Sequence, residues 1–97
     1  MMRRDGTRAV VSGPATLANV RALLAEGRAQ LDAGVRTIDL GGVTELDSSL
    51  LAVLLAWRRE ARAANVELAI EGLPEGLATI ARLYGVEELL PGGAARV

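Results

Sequence analysis

Asp47, Ser48 and Ser49 stand together in mid-chain, directly before the longest apolar run, Leu50 to Trp57. An Asp or Ser at such a junction accepts a hydrogen bond from an orphan backbone N–H and starts a helix. A hydroxyl there also has a second use. A phosphate at a helix N-terminus is favoured by the free N–H groups and the macrodipole, so Ser48 is a candidate phosphorylation site or partner contact. The two roles are compatible. Carboxylates gather nearby at Asp39, Glu45 and Asp47, around the segment Gly41 to Leu46. They are the residues an acid–base enzyme would have to use, but capping, turning and solvation account for them as well. No catalytic residue is assigned, and the chain is expected not to be an enzyme.

The rest of the composition narrows the chemistry further. His and Cys are absent, and all 11 basic residues are Arg. There is therefore no imidazole base or ligand, no thiolate nucleophile, no disulfide and no Schiff-base or P-loop lysine. Gly41-Gly42 alone is too little for a phosphate cradle. No metal site and no cofactor are expected. Eleven basic residues against 12 acidic ones give a net charge of −1, which argues against a nucleic-acid partner. The start, Met1-Met2-Arg3-Arg4-Asp5-Gly6, does not read as an export signal, and the longest apolar run falls far short of the roughly 20 residues of a membrane span. The expectation is a cytoplasmic protein with no segment inserted in the membrane.

Ninety-seven residues, 51% of them apolar, suit one globular domain over 1–97, with 1–6 and 92–97 as flexible ends. Arg8 to Ser12 reads as a strand turned at Gly13-Pro14. Thr16 suits an N-cap, and Leu17, Val20, Leu24 and Leu31 share a helical face from about Leu17 to Ala33. Gly34 suits the left-handed position after that helix. Val35 to Leu40 alternates as a strand, followed by a loop from Gly41 to Leu46. A second helix runs from Asp47-Ser48-Ser49 to about Ala64. Val66 to Glu71 is a strand ended by Gly72. Pro74 opens a third helix, with Leu77, Ile80, Ala81 and Tyr84 on one face and Gly85 closing it. Val86 to Leu90 reads as a turn or short helix. The fold class is α/β, in the order β-α-β-α-β-α, with a mixed sheet of about four strands and helices packed on it.

The second helix departs from an ordinary surface helix. Leu50, Val53, Leu54, Trp57, Ala61 and Ala64 fall on one face, the expected core face. The opposite side holds Ser48, Leu51, Ala52, Leu55, Arg59 and Arg62. Its first two turns are apolar nearly all round, which means either a partner surface or a helix crowded under the first one. On the partner reading the face comprises Asp47, Ser48, Ser49, Leu51, Ala52, Leu55, Arg59 and Arg62. Leu51 and Leu55 would supply apolar contact at roughly 25 cal/mol per Å², and the Arg pair orientation.

The segment Thr37-Ile38-Asp39-Leu40-Gly41-Gly42-Val43-Thr44-Glu45-Leu46-Asp47-Ser48-Ser49-Leu50-Leu51 resembles the centre of the STAS domain. That family includes anti-sigma factor antagonists and the C-terminal domains of sulfate transporters. Its pattern is a strand, a loop, Asp-Ser/Thr-x-Gly and an apolar helix. Leu54 to Ala61 and Leu77 to Val86, followed by Leu89-Leu90-Pro91, look like the MlaB-type subunit of the phospholipid-transporting ABC system. This resemblance implies a cytoplasmic accessory subunit, peripheral to the inner membrane, docked on the transporter's ATPase. The same complex would hold a permease and a lipid-binding protein and maintain outer-membrane lipid asymmetry. The alternative it implies is an anti-sigma factor antagonist that binds a serine kinase acting as anti-sigma factor, released when Ser48 is phosphorylated. One departure bears on that alternative. Leu50 stands where the signalling members carry Gly, so a leucine side chain is expected to alter access to Ser48.

Overall fold

The computed structural model describes residues 2–86. The elements run β1 (Met2–Asp5), β2 (Arg8–Ala15), α1 (Val20–Asp32), β3 (Thr37–Leu46), α2 (Ser48–Ala63), β4 (Ala69–Glu71) and α3 (Glu75–Leu83). The four strands form one mixed sheet in the order β1-β2-β3-β4. β1 pairs antiparallel with β2, whereas β2–β3 and β3–β4 are parallel, each joined through a helix. The α/β class and the mixed four-stranded sheet are as expected. The order gains one element at its start, because residues expected to be a loose end form β1. Arg4 fixes that strand: its Nη2 donates to Ala33 O at 2.9 Å, where α1 ends and its carbonyls need donors.

One row of alternating side chains faces the helices. Ala9, Ile38 and Ile70 lie side by side across β2, β3 and β4 and are buried, with Val11 and Leu40 beside them. Leu23 of α1, Leu50, Val53, Leu54 and Trp57 of α2, and Leu77 and Ala81 of α3 close the same core. The opposite row is polar. There Arg8 Nη1 donates to Glu71 Oε1 at 2.6 Å, and Asp39 lies 3.9 Å from the same guanidinium. The Trp57 indole fills the middle of the core and donates from Nε1 to Leu24 O at 3.2 Å. Gly27 makes room for that ring, since a Cβ at that position would overlap it.

Two strands are longer than the glycines suggested. β2 continues through Gly13-Pro14 to Ala15, beyond the reach of β1, which covers only Arg8 to Val11. One side of β2 is open there, which is where a strand tolerates proline. β3 continues through the segment 41–46 that was expected to be a loop. It does so by bulging: Val10 pairs with Asp39 but Ser12 with Gly42, and Gly13 pairs with Val43 but Pro14 with Glu45. Each shift inserts one extra residue in β3. Asp39 Oδ1 accepts from Gly41 N at 2.8 Å across the first bulge. At Gly42 a Cβ would crowd Ser12 and Val11 O at 3.0 Å, so the close approach there favours glycine.

All three helices end alike. After α1, Gly34 N bonds Leu31 O and Val35 N bonds Gln30 O. After α2, Asn65 and Val66 repeat this against Arg62 and Ala61, and after α3 Gly85 and Val86 do so against Arg82 and Ala81. Gly34, Asn65 and Gly85 have positive φ, as this double-bonded cap requires. Ala64, expected on the core face, is the C-cap of α2 and is exposed, and Tyr84, expected to pack, is the C-cap of α3 and is 63% exposed. Pro74 is the N-cap of α3 rather than its first residue. The expected turn at Val86–Leu90 and the loose end at 92–97 extend into positions outside the described residues.

Candidate docking face at the head of the second helix

The bulged end of β3 delivers the chain to Asp47, the N-cap of α2. Asp47 Oδ1 accepts from Ser49 N at 2.8 Å, the capping bond that its position anticipates. Its other oxygen has a task the sequence did not reveal: Oδ2 accepts from Leu17 N at 3.0 Å. The Leu17 N–H first, then the Ser49 N–H, hold the Asp47 carboxyl below its usual value of 3.8, against the opposing effect of desolvation. One carboxylate therefore ties the β2–α1 turn to the head of α2.

That turn differs from the expected helix start. Asn19, not Thr16, occupies the N-cap position of α1. Asn19 Oδ1 accepts from Thr16 N at 2.9 Å, and its Nδ2 donates to Pro14 O at 2.7 Å, closing residues 16–19 into a turn. Leu17, expected on the buried face of α1, is consequently 74% exposed beside α2. It is the apolar site residue that sequence reasoning missed. A run of helical spacing carries no mark of where the first turn begins, and the Asn19 side chain was the one available signal.

The structure divides the expected partner face. Ser48 is the first residue of α2 and is exposed, and Ser49 is half-buried behind it. Ala52, Arg59 and Arg62 are exposed, and Leu55 is half-buried with part of its side chain against the core. Leu51 does not belong with them: it is 3% exposed and lies in the core. The core face of α2 is thus wider than one wheel face, because α1 and α3 both pack on this helix. The crowded reading of its apolar first turns holds at Leu51. Leu51 is crowded between elements, whereas Ala52 and Leu55 remain at the surface.

Leu50 is completely buried. Its side chain points into the core, so the leucine at the glycine position does not screen the Ser48 hydroxyl. This corrects the expectation drawn from that departure. The carboxylates expected to cap and turn do so at Asp39 and Asp47. Among the described residues no group of three His, Cys, Asp or Glu side chains could hold a metal ion. Leu55, Arg58, Arg59 and Arg62 line a shallow recess of about 280 Å³ further along the same helix. Among the described residues no helix is long and apolar enough to cross a membrane.

Comparison with known proteins agrees with this architecture. A solved structure of the anti-sigma factor antagonist SpoIIAA in its unphosphorylated form superposes with a TM-score of 0.67. It covers 89% of this chain and 80% of that one at 15% identity, a likeness of fold. No curated protein matches. The family described as "Mlab, STAS domain" matches residues 2–91, from β1 to beyond α3. The chain therefore belongs to the STAS domain family, of MlaB type.

Proposed function

We propose that this protein is a non-catalytic accessory subunit of a phospholipid-transporting ABC complex, docking on the ATPase through the head and outer stripe of α2. The observation that carries the reading is the surface formed by Leu17, Ser48, Ala52 and Leu55, with Arg59 and Arg62 at its far end. A helix head that is capped internally by Asp47 still shows an exposed hydroxyl and exposed apolar side chains to the outside. Such a surface suits a protein interface with a small apolar centre and a charged rim. The MlaB-type family match supports the choice of an ABC complex, with its permease and lipid-binding protein, as the setting. Localisation follows from the same reading: cytoplasmic, held at the inner membrane through the complex.

The second reading, an anti-sigma factor antagonist controlled by phosphorylation of Ser48, is favoured by one specific observation. Ser48 is exposed at the first position of α2, and buried Leu50 leaves it open to a kinase. Its partner would be a serine kinase acting as anti-sigma factor. Affinity purification of the tagged chain from gently solubilised membranes of its native cell separates the readings. An ATPase with a multi-span permease supports the first; a serine kinase and a sigma factor without a transporter support the second.

A further inference from the structure

Arg58, Arg59 and Arg62 stand within one and a half turns of α2, around a recess that Leu55 also lines. Among the described residues none of the three guanidinium groups has an ion-pair or hydrogen-bond partner. Two arginines elsewhere do hold carboxylates. Arg28 of α1 holds Glu60, the one carboxylate on α2, and Arg8 holds Glu71. Arg58 and Arg62 are four residues apart and Arg59 and Arg62 three, spacings at which like charges on a helix repel. The net charge of the chain is −1, so this is a local concentration of positive charge and not a general basic character.

We infer that this recess receives an acidic segment of the protein partner, an apolar side chain entering over Leu55 while flanking carboxylates pair with Arg58, Arg59 and Arg62. The inference deepens the docking reading and rests on its assignment of the outer stripe of α2 to a protein partner. Three features favour a protein segment over other anions. The recess is concave and about 280 Å³ in volume, room for a side chain rather than a wedge for a bilayer. Lipid-binding basic clusters run to about 4–8 Lys/Arg, more than are present here. Arginine forks also match carboxylate geometry, giving orientation as well as attraction. Arg58 is half-buried, so its stem helps to wall the recess.

The test uses nitrogen-15-labelled full-length protein, reading the arginine Nε–Hε resonances. The probes are a blocked heptapeptide with one leucine between three glutamates on each side, its glutamine counterpart, phosphatidylglycerol vesicles and inorganic phosphate. The glutamate peptide is expected to shift Arg58, Arg59 and Arg62 together, and to bind about tenfold or more tightly than the glutamine peptide. That advantage shrinks as salt rises from about 0.1 M to about 1 M, where screening acts within about 3 Å. Arg58→Gln/Arg59→Gln/Arg62→Gln loses it, and the corresponding triple Lys variant keeps most of it. Should the triple Gln variant not fold, Arg59→Gln alone, at an exposed position, is expected to lose part of it. Equal binding of the two peptides would overturn the inference. So would phosphate saturating the same resonances at the same affinity, vesicles binding in place of the peptide, or equal shifts at Arg3 and Arg21. Failure here with an ATPase still captured removes only the acidic-segment inference. Success here with no transporter captured removes the ABC assignment and leaves the recess chemistry standing.

Discussion

Asp47 shows how much one side chain can organise. Its two oxygens take the N–H groups of Ser49 and Leu17, so the capping of α2 and the placement of the exposed Leu17 turn share one charge. The carboxyl is held below 3.8, so its contribution is complete at neutral pH and is lost as pH falls below 3.8 and through the lowered native value. Thermal melts from neutral pH downward should show the wild type a few degrees above Asp47→Asn, with the gap closing in that acidic window; a gap constant to the lowest pH would contradict this. A second residue-level arrangement is the seat of Trp57 on Gly27. Trp57→Ala should cost about 3–5 kcal/mol, and Gly27→Ala about 1–3 kcal/mol by overpacking, although alanine is the better helix former. Denaturant unfolding of the two variants measures both. The buried indole could be read from the spacing Leu50, Val53, Leu54, Trp57. Gly27 could not, because its role depends on a ring supplied by another helix. Nor could the Asp47–Leu17 bond, which joins two turns distant in sequence.

The elements were legible where period and punctuation agree. Gly34 and Gly85 mark the ends of α1 and α3, and the alternation from Thr37 to Leu40 marks the buried row of β3. They were misread where glycine serves another purpose. Gly41-Gly42 looked like the end of a strand, yet they sit in the bulged part of β3, where Gly42 lets it pass close to Ser12. Asn65 performs the task of Gly34 and Gly85 with a side chain, at φ 59°. Asn65→Ala is therefore expected to cost about 1–2 kcal/mol, since alanine pays the full left-handed penalty, while Asn65→Gly stays near neutral; chemical denaturation distinguishes them. The outer stripe of α2 was also half legible. A wheel divides a helix into two faces, but α2 packs under both neighbouring helices, so Leu51 is core and only Ala52 and Leu55 remain outside. Leu51→Asp should thus unfold the domain by burying a charge, whereas Ala52→Glu should leave its melting temperature nearly unchanged.

Taken as a molecule, the chain places a sheet with one polar face behind three helices and turns the head of α2 outward. The order of strands and helices carried the α/β class from sequence, and the short Asp-Ser motif carried the family. β1 escaped notice because four residues with two arginines have no alternation to read, and only pairing with β2 makes them a strand. The central claim is that the Leu17–Ser48–Ala52–Leu55 surface joins this chain to an ABC ATPase. The most direct measurement is quantitative affinity purification from native membranes of the wild type beside Ala52→Glu, with both variants shown to melt alike. The account predicts an ATPase and a multi-span permease captured with the wild type, and at least tenfold less of both with Ala52→Glu. Equal capture by the two proteins, or a serine kinase and sigma factor in place of the transporter, would contradict it.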